Sequence, residues 1–78
     1  MNYTISRTDE IEVVTFGDLI RKKRTEKGLY QKELAEILGV NEMTVVNWEK
    51  GRTVPINENL KRIVNYFGLR IEDVKGLV

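Results

Sequence analysis

Cysteine and histidine are absent from this chain of 78 residues, and serine and proline occur once each, as Ser6 and Pro55. Without a thiol there is no disulfide, no thiolate metal site and no cysteine nucleophile, which suits a reducing compartment. Without an imidazole, triads, histidine bases and histidine-ligated zinc are unavailable. There is no glycine-rich phosphate loop. Glu33 and Glu36 read as a solvated helix face rather than a catalytic carboxylate pair. We therefore expect no enzyme, no cofactor and no metal. Nowhere do eighteen apolar residues run together, and the opening MNYTISRTDE has no basic stretch followed by an apolar one, so we expect a cytoplasmic, untethered protein.

What remains is a composition able to fold. With 41% hydrophobic and 32% charged residues, the chain can bury one small core, and its length leaves room for one domain. The net charge of +1 conceals an uneven distribution. Residues 1–14 carry Arg7 against Asp9, Glu10 and Glu12, whereas Arg21, Lys22, Lys23, Arg24 and Lys27 crowd one segment opposed only by Asp18 and Glu26. A basic helix of this kind is an electrostatic footprint for a phosphate backbone, although any single lysine on it also reads as part of a solvated face.

The segment QKELAEILGVNEMTVVNWEK carries the most specific pattern. Leu34, Ala35 and Leu38 share one helical stripe, which Gly39 ends, and Val45 with Trp48 begin a second stripe after Asn41. Ala35 supplies the small side chain that a steep helix crossing needs. Gly39 tolerates the positive φ of a tight turn, and Asn41 can cap the next helix with its side-chain oxygen. Helices over about Gln31–Leu38 and Glu42–Lys50 on so short a connection form a helix-turn-helix, whose second helix can lie in the DNA major groove. An ordinary helical hairpin explains each residue singly, but the combination less well.

Around this unit, a first helix is expected over Thr15–Lys27, with Thr15 and Asp18 spaced as a capping box, Gly28 past its end, and Phe16, Leu19, Ile20 and the stem of Lys23 facing inward. Arg52–Ile56 reads as a loop. Asn57 is expected to cap a fourth helix bearing Leu60, Ile63, Val64 and Phe67, closed by Gly68, and a short fifth helix from Ile71 supplies Val74 and Leu77. Residues 1–14 change period. Tyr3, Ile5 and Arg7, then Ile11 and Val13, alternate with polar neighbours, so a β-hairpin is preferred over an extended arm or a short helix from Ser6. Residues 15–78 form the remaining, all-α domain of five helices.

The basic first helix LIRKKRTEKGL, the QKELAEILGV segment, the NWEKG ending and the NENLKRIVNYFGL helix together resemble the phage repressor and Cro family, also called the xenobiotic-response-element type, from about Phe16 to Val74. That resemblance implies a lambda-repressor-like DNA-binding domain, acting as a sequence-specific transcriptional regulator, more often a repressor, and binding double-stranded DNA as a homodimer on a two-fold symmetric site. It brings no catalytic activity and no cofactor. It also implies an ion pair between Arg24 and Glu49, with guanidinium edges left over for phosphate, and a backbone contact from Gln31. Tyr30 departs from the family pattern where a Ser or Thr usually caps the second helix, Arg70 replaces another common cap, and the loop Thr53–Asn57 lacks charge. The rival reading is a protein-interaction module or antitoxin-type co-regulator, favoured slightly by Val46, which we expect to be exposed, and by the uncharged loop around Val54 and Ile56.

If the third helix enters the major groove, Glu42, Met43 and Asn47 are the candidate base readers. The Asn47 carboxamide can bond adenine N6 and N7 together, Met43 can meet a thymine methyl, and Glu42 can accept from cytosine N4 or simply stabilise its helix N-terminus. Gln31 offers a carboxamide and a free backbone N–H to phosphate. Tyr30, Thr44, Lys50 and Arg52, with Lys22, Lys23 and Arg24, complete the candidate phosphate contacts.

Overall fold

The computed structural model describes residues 12–77. Five helices follow in order: α1 (Phe16–Glu26), α2 (Gln31–Leu38), α3 (Glu42–Glu49), α4 (Asn57–Phe67) and α5 (Ile71–Lys75). No strand occurs among the described residues. The hairpin expected for residues 1–14, like the alternative helix from Ser6, lies outside them except for residues 12–14, which have no regular structure.

α1 begins where its sequence satisfies its own orphan donors. Thr15 Oγ1 accepts from the Asp18 N–H, and Asp18 Oδ2 accepts from the N–H groups of Thr15 and Val14, all at 3.1 Å. These bonds make the capping box that the spacing predicts. The Val14 N–H, foremost, together with the Thr15 backbone and hydroxyl bonds and the Arg21 charge, outweighs desolvation and holds the Asp18 carboxyl below its ordinary pKa. The unfolded chain therefore binds this proton more tightly than the folded one. The box stabilises fully above the ordinary carboxylate range and loses its contribution as pH falls through it toward the depressed folded value. Acid unfolding followed by circular dichroism should show stability falling below about pH 4, and the Asp18→Asn variant should show a shallower fall. Identical acid profiles would exclude this role for Asp18.

Phe16 and Ile20 of α1, Leu34, Ala35 and Leu38 of α2, Val45 and Trp48 of α3, Leu60 and Ile63 of α4 and Val74 of α5 form one buried cluster. Leu19, Val64, Phe67 and Leu77 pack half-buried against it. The helical stripes read from the sequence are thus the faces that meet. Arg62 Nη1 donates to the Leu38 carbonyl at 3.2 Å, so α4 satisfies an orphan acceptor at the end of α2.

Three local expectations are corrected. Asn57 is the first residue of α4 rather than its cap. Ile56 holds the cap position, in extended backbone, and has no side-chain oxygen with which to accept. α1 spans Phe16–Glu26, with Thr15 and Lys27 as its cap residues, and α3 ends at Glu49, with Lys50 as its cap residue. Val46 is half-buried instead of exposed, whereas Val54 and Ile56 are exposed.

Candidate nucleic-acid interface

The turn between α2 and α3 is closed from both sides. Gly39 adopts φ 73°, which lets the Val40 N–H return to the Ala35 carbonyl at 2.9 Å, and Asn41 Oδ1 accepts from the Met43 N–H at 2.8 Å. At about 100° per residue, Val45 and Trp48 then point into the core, while Met43, Asn47 and Lys50 occupy the opposite arc. Met43 is 57% exposed, Glu42 and Lys50 are exposed, and Thr44 and Asn47 are half-buried. The candidate base readers therefore lie on the outer side of a rod anchored from behind.

A carboxylate knot sets the position of that rod. Glu49 Oε2 accepts from Arg24 Nε at 2.6 Å, and Glu49 Oε1 accepts from Arg24 Nη2 at 3.1 Å and from Gln31 Nε2 at 3.0 Å. Arg24 Nη1 donates to the Leu29 carbonyl at 2.7 Å. One part-buried charge pair thus joins α1, the α1–α2 turn, the start of α2 and the end of α3. The side chains retain 12% and 4% exposure, which places the pair in the low-dielectric regime where geometry governs its worth. The structure brings Arg24 and Glu49 together, but it leaves little guanidinium for a phosphate: three of its nitrogens are engaged and the group is covered. Its part is to orient Glu49 and, through Glu49, Gln31.

Gly17 makes the close α1–α3 approach possible. A Cβ at this position would lie 2.5 Å from the Trp48 carbonyl oxygen and 2.6 Å from that of Glu49. Nothing in the local pattern singles out Gly17, because the residues it must clear lie some thirty positions further along the chain.

The other candidates divide. Gln31 spends one carboxamide N–H on Glu49, while its backbone N–H stands in the first turn of α2, where no intrahelical acceptor exists. Tyr30 is 76% exposed and does not cap α2 with its phenol; instead, Glu33 Oε1 accepts from the Tyr30 N–H at 2.8 Å. Arg52 is exposed and its Nη1 donates to Asn47 Oδ1 at 3.3 Å, a contact that spacing did not reveal. Lys22 and Lys23 are not brought to α3. They line a groove of about 370 Å³ with Leu69 and Leu77, on the side of α1 away from Gly17 and Arg24, and Lys23 pairs with Glu26 at 3.5 Å.

Comparison with known proteins agrees with this architecture. Residues 20–74 match the helix-turn-helix family. The chain is 46% identical over 57 residues to an uncharacterized HTH-type transcriptional regulator of Methanothermobacter thermautotrophicus, covering 72% of this chain and 83% of that protein. It is 36% identical over 59 residues, 76% of its length, to the HTH-type transcriptional activator BcrR of Enterococcus faecalis. The chain spans only 29% to 37% of the length of that activator and of other long relatives it matches. The solution structure of the DNA-binding domain of the P22 C2 repressor has the same fold, with a TM-score of 0.70 at 24% identity over 78% of this chain and 80% of that one. A short turn closed by Gly39, a rod backed by Val45 and Trp48, and these matches together place the chain in the helix-turn-helix family of the phage repressor and Cro type.

Proposed function

We propose that the chain binds double-stranded DNA by laying α3 in the major groove, and that it regulates transcription as a homodimer on a two-fold symmetric site. The carrying observation is the rod itself: Val45 and Trp48 fix it from behind, Glu49 ties its end to two other helices, and Met43, Asn47 and Glu42 are left to face outward. Gln31, Thr44, Lys50, Arg52 and Tyr30 are the phosphate contacts in this reading, with the α2 N-terminus adding its dipole. Arg24 acts indirectly through Glu49, and Lys22 and Lys23 are left out. Repression fits this arrangement because occupancy of the site is sufficient to block a promoter.

One recognition helix reads too few base pairs for useful specificity, so two copies must face grooves one turn, about 34 Å, apart. Selection from random duplexes followed by gel-shift titration tests the reading. A two-fold symmetric sequence should be enriched; recovery of a protein partner with no enriched sequence would overturn it in favour of an interaction module.

Affinity should also fall with salt, but gently for a protein of this kind. The loop Thr53–Asn57 is uncharged and Arg24 is committed to Glu49. We expect about four to six phosphates neutralised per dimer, a slope of about −4 to −5 in log K against log salt. Binding that ignores salt would rule out this mode.

A further inference from the structure

Arg52 is held against the outer side of α3 by two successive bonds. Gly51, at φ 77°, turns the chain back after the helix. Its N–H then reaches the Trp48 carbonyl at 3.1 Å, and the Arg52 N–H reaches the Asn47 carbonyl at 2.9 Å, the paired closure of a Schellman turn. From there Arg52 Nη1 meets Asn47 Oδ1 at 3.3 Å. A guanidinium carries donors only and stays charged, so the carboxamide must turn its oxygen toward Arg52 and its NH2 group away.

We propose that Arg52 is a positioning residue for Asn47, and that the pair forms a donor-only reader selecting guanine over adenine at one base pair of each half-site. The inference rests on the DNA-binding reading above. In the major groove guanine presents two acceptors, O6 and N7, whereas adenine presents the N7 acceptor beside the N6 donor. The two-bond contact of an asparagine with adenine requires its oxygen to accept from N6, and here one of that oxygen's two lone pairs is taken by a cation whose N–H groups would stand beside the N6 donor. Guanine asks only for donors, which Asn47 Nδ2 and the remaining guanidinium N–H groups supply. The adenine contact expected from Asn47 alone is thereby disfavoured by its neighbour.

The test uses the full chain and the selected duplex. The base pair whose identity ceases to matter in Asn47→Ala marks the Asn47 position, and duplexes carrying G·C or A·T there are titrated against the parent, Arg52→Ala, Asn47→Ala and the double variant. The parent should prefer guanine by about tenfold. Arg52→Ala should lose that preference or reverse it toward adenine, and the double variant should discriminate no more than Asn47→Ala. In the free protein, the side-chain NH2 resonances of Asn47 should shift in Arg52→Ala while the melting temperature stays unchanged. Parent preference for adenine would overturn the proposal. So would an equal loss on both duplexes with a salt slope shallower by about one, because Arg52 would then be a phosphate contact alone and the DNA-binding reading would stand. Failure to select any duplex would remove that reading and this inference with it.

Discussion

Substituting Gly17 by alanine is expected to destabilise the protein by about 1–2 kcal/mol, although alanine is the better helix former. Two effects of opposite sign meet here. Within a helix, Gly→Ala gains about 0.5–1 kcal/mol from the backbone entropy of the unfolded chain. Against this, the added methyl would lie 2.5 Å and 2.6 Å from two carbonyl oxygens of α3 and 2.9 Å from the Glu49 carbonyl carbon. All three are backbone atoms, so no rotamer change relieves the clash. α1 must move away from α3, and that loosens the buried cluster to which Phe16, Ile20 and Trp48 belong while drawing Arg24 from Glu49. Overpacking of this kind costs about 1–3 kcal/mol or more and therefore wins. Small domains melt about 4–8 °C lower for each kcal/mol lost, so Gly17→Ala should melt about 4–16 °C below the parent, and Gly17→Val lower still. Gly76 is a control, since it has ordinary right-handed backbone and open space where a methyl would go, and Gly76→Ala should be nearly neutral. A Gly17→Ala variant that melted at or above the parent temperature would show that α1 and α3 do not approach this closely.

Arg24→Ala and Glu49→Ala should each cost about 3–5 kcal/mol, because each leaves the other charge covered and unmatched. The value follows from burial. The exposed Arg70–Asp73 pair, with side chains 78% and 55% accessible, should contribute about 1 kcal/mol or less. Within the knot, Glu49 also loses or keeps Gln31, so the effects are coupled. In denaturant titrations the Arg24→Ala/Glu49→Ala double variant should lose much less than the sum of the single losses. Arg24→Ala should also bind DNA more weakly under conditions where it remains folded, since Glu49 no longer holds Gln31 and the end of α3 in fixed relation. A stable Arg24→Ala protein with unchanged DNA affinity would refute the dual role.

Much of the fold was legible because its signals are local. Thr15 and Asp18 stand three residues apart and close on each other within one turn. Gly39 and Asn41 bracket a turn whose backbone bonds span only a few residues. The apolar stripes of α1, α2 and α4 repeat at the helical period, and the period alone says which side must be buried. The misreadings were also local. Asn57 has the chemistry of a cap, but the chain bends one residue earlier, at Ile56, because backbone direction and not side-chain preference sets where a helix begins.

For the site, the order of helices, the outward placement of Glu42, Met43 and Asn47, and the family all follow from residues read in sequence. The pairing of Arg24 with Glu49 entered through resemblance to relatives, since no spacing rule links residues 25 apart. The clearance at Gly17, the Gln31–Glu49 bond, the turning of Lys22 and Lys23 away from α3 and the grip of Arg52 on Asn47 came from the folded chain alone. Helical period and capping are governed by forces acting within a turn or two of backbone. Which donor meets which acceptor across three packed helices depends on their separation and crossing, and those are set jointly by every side chain in the core.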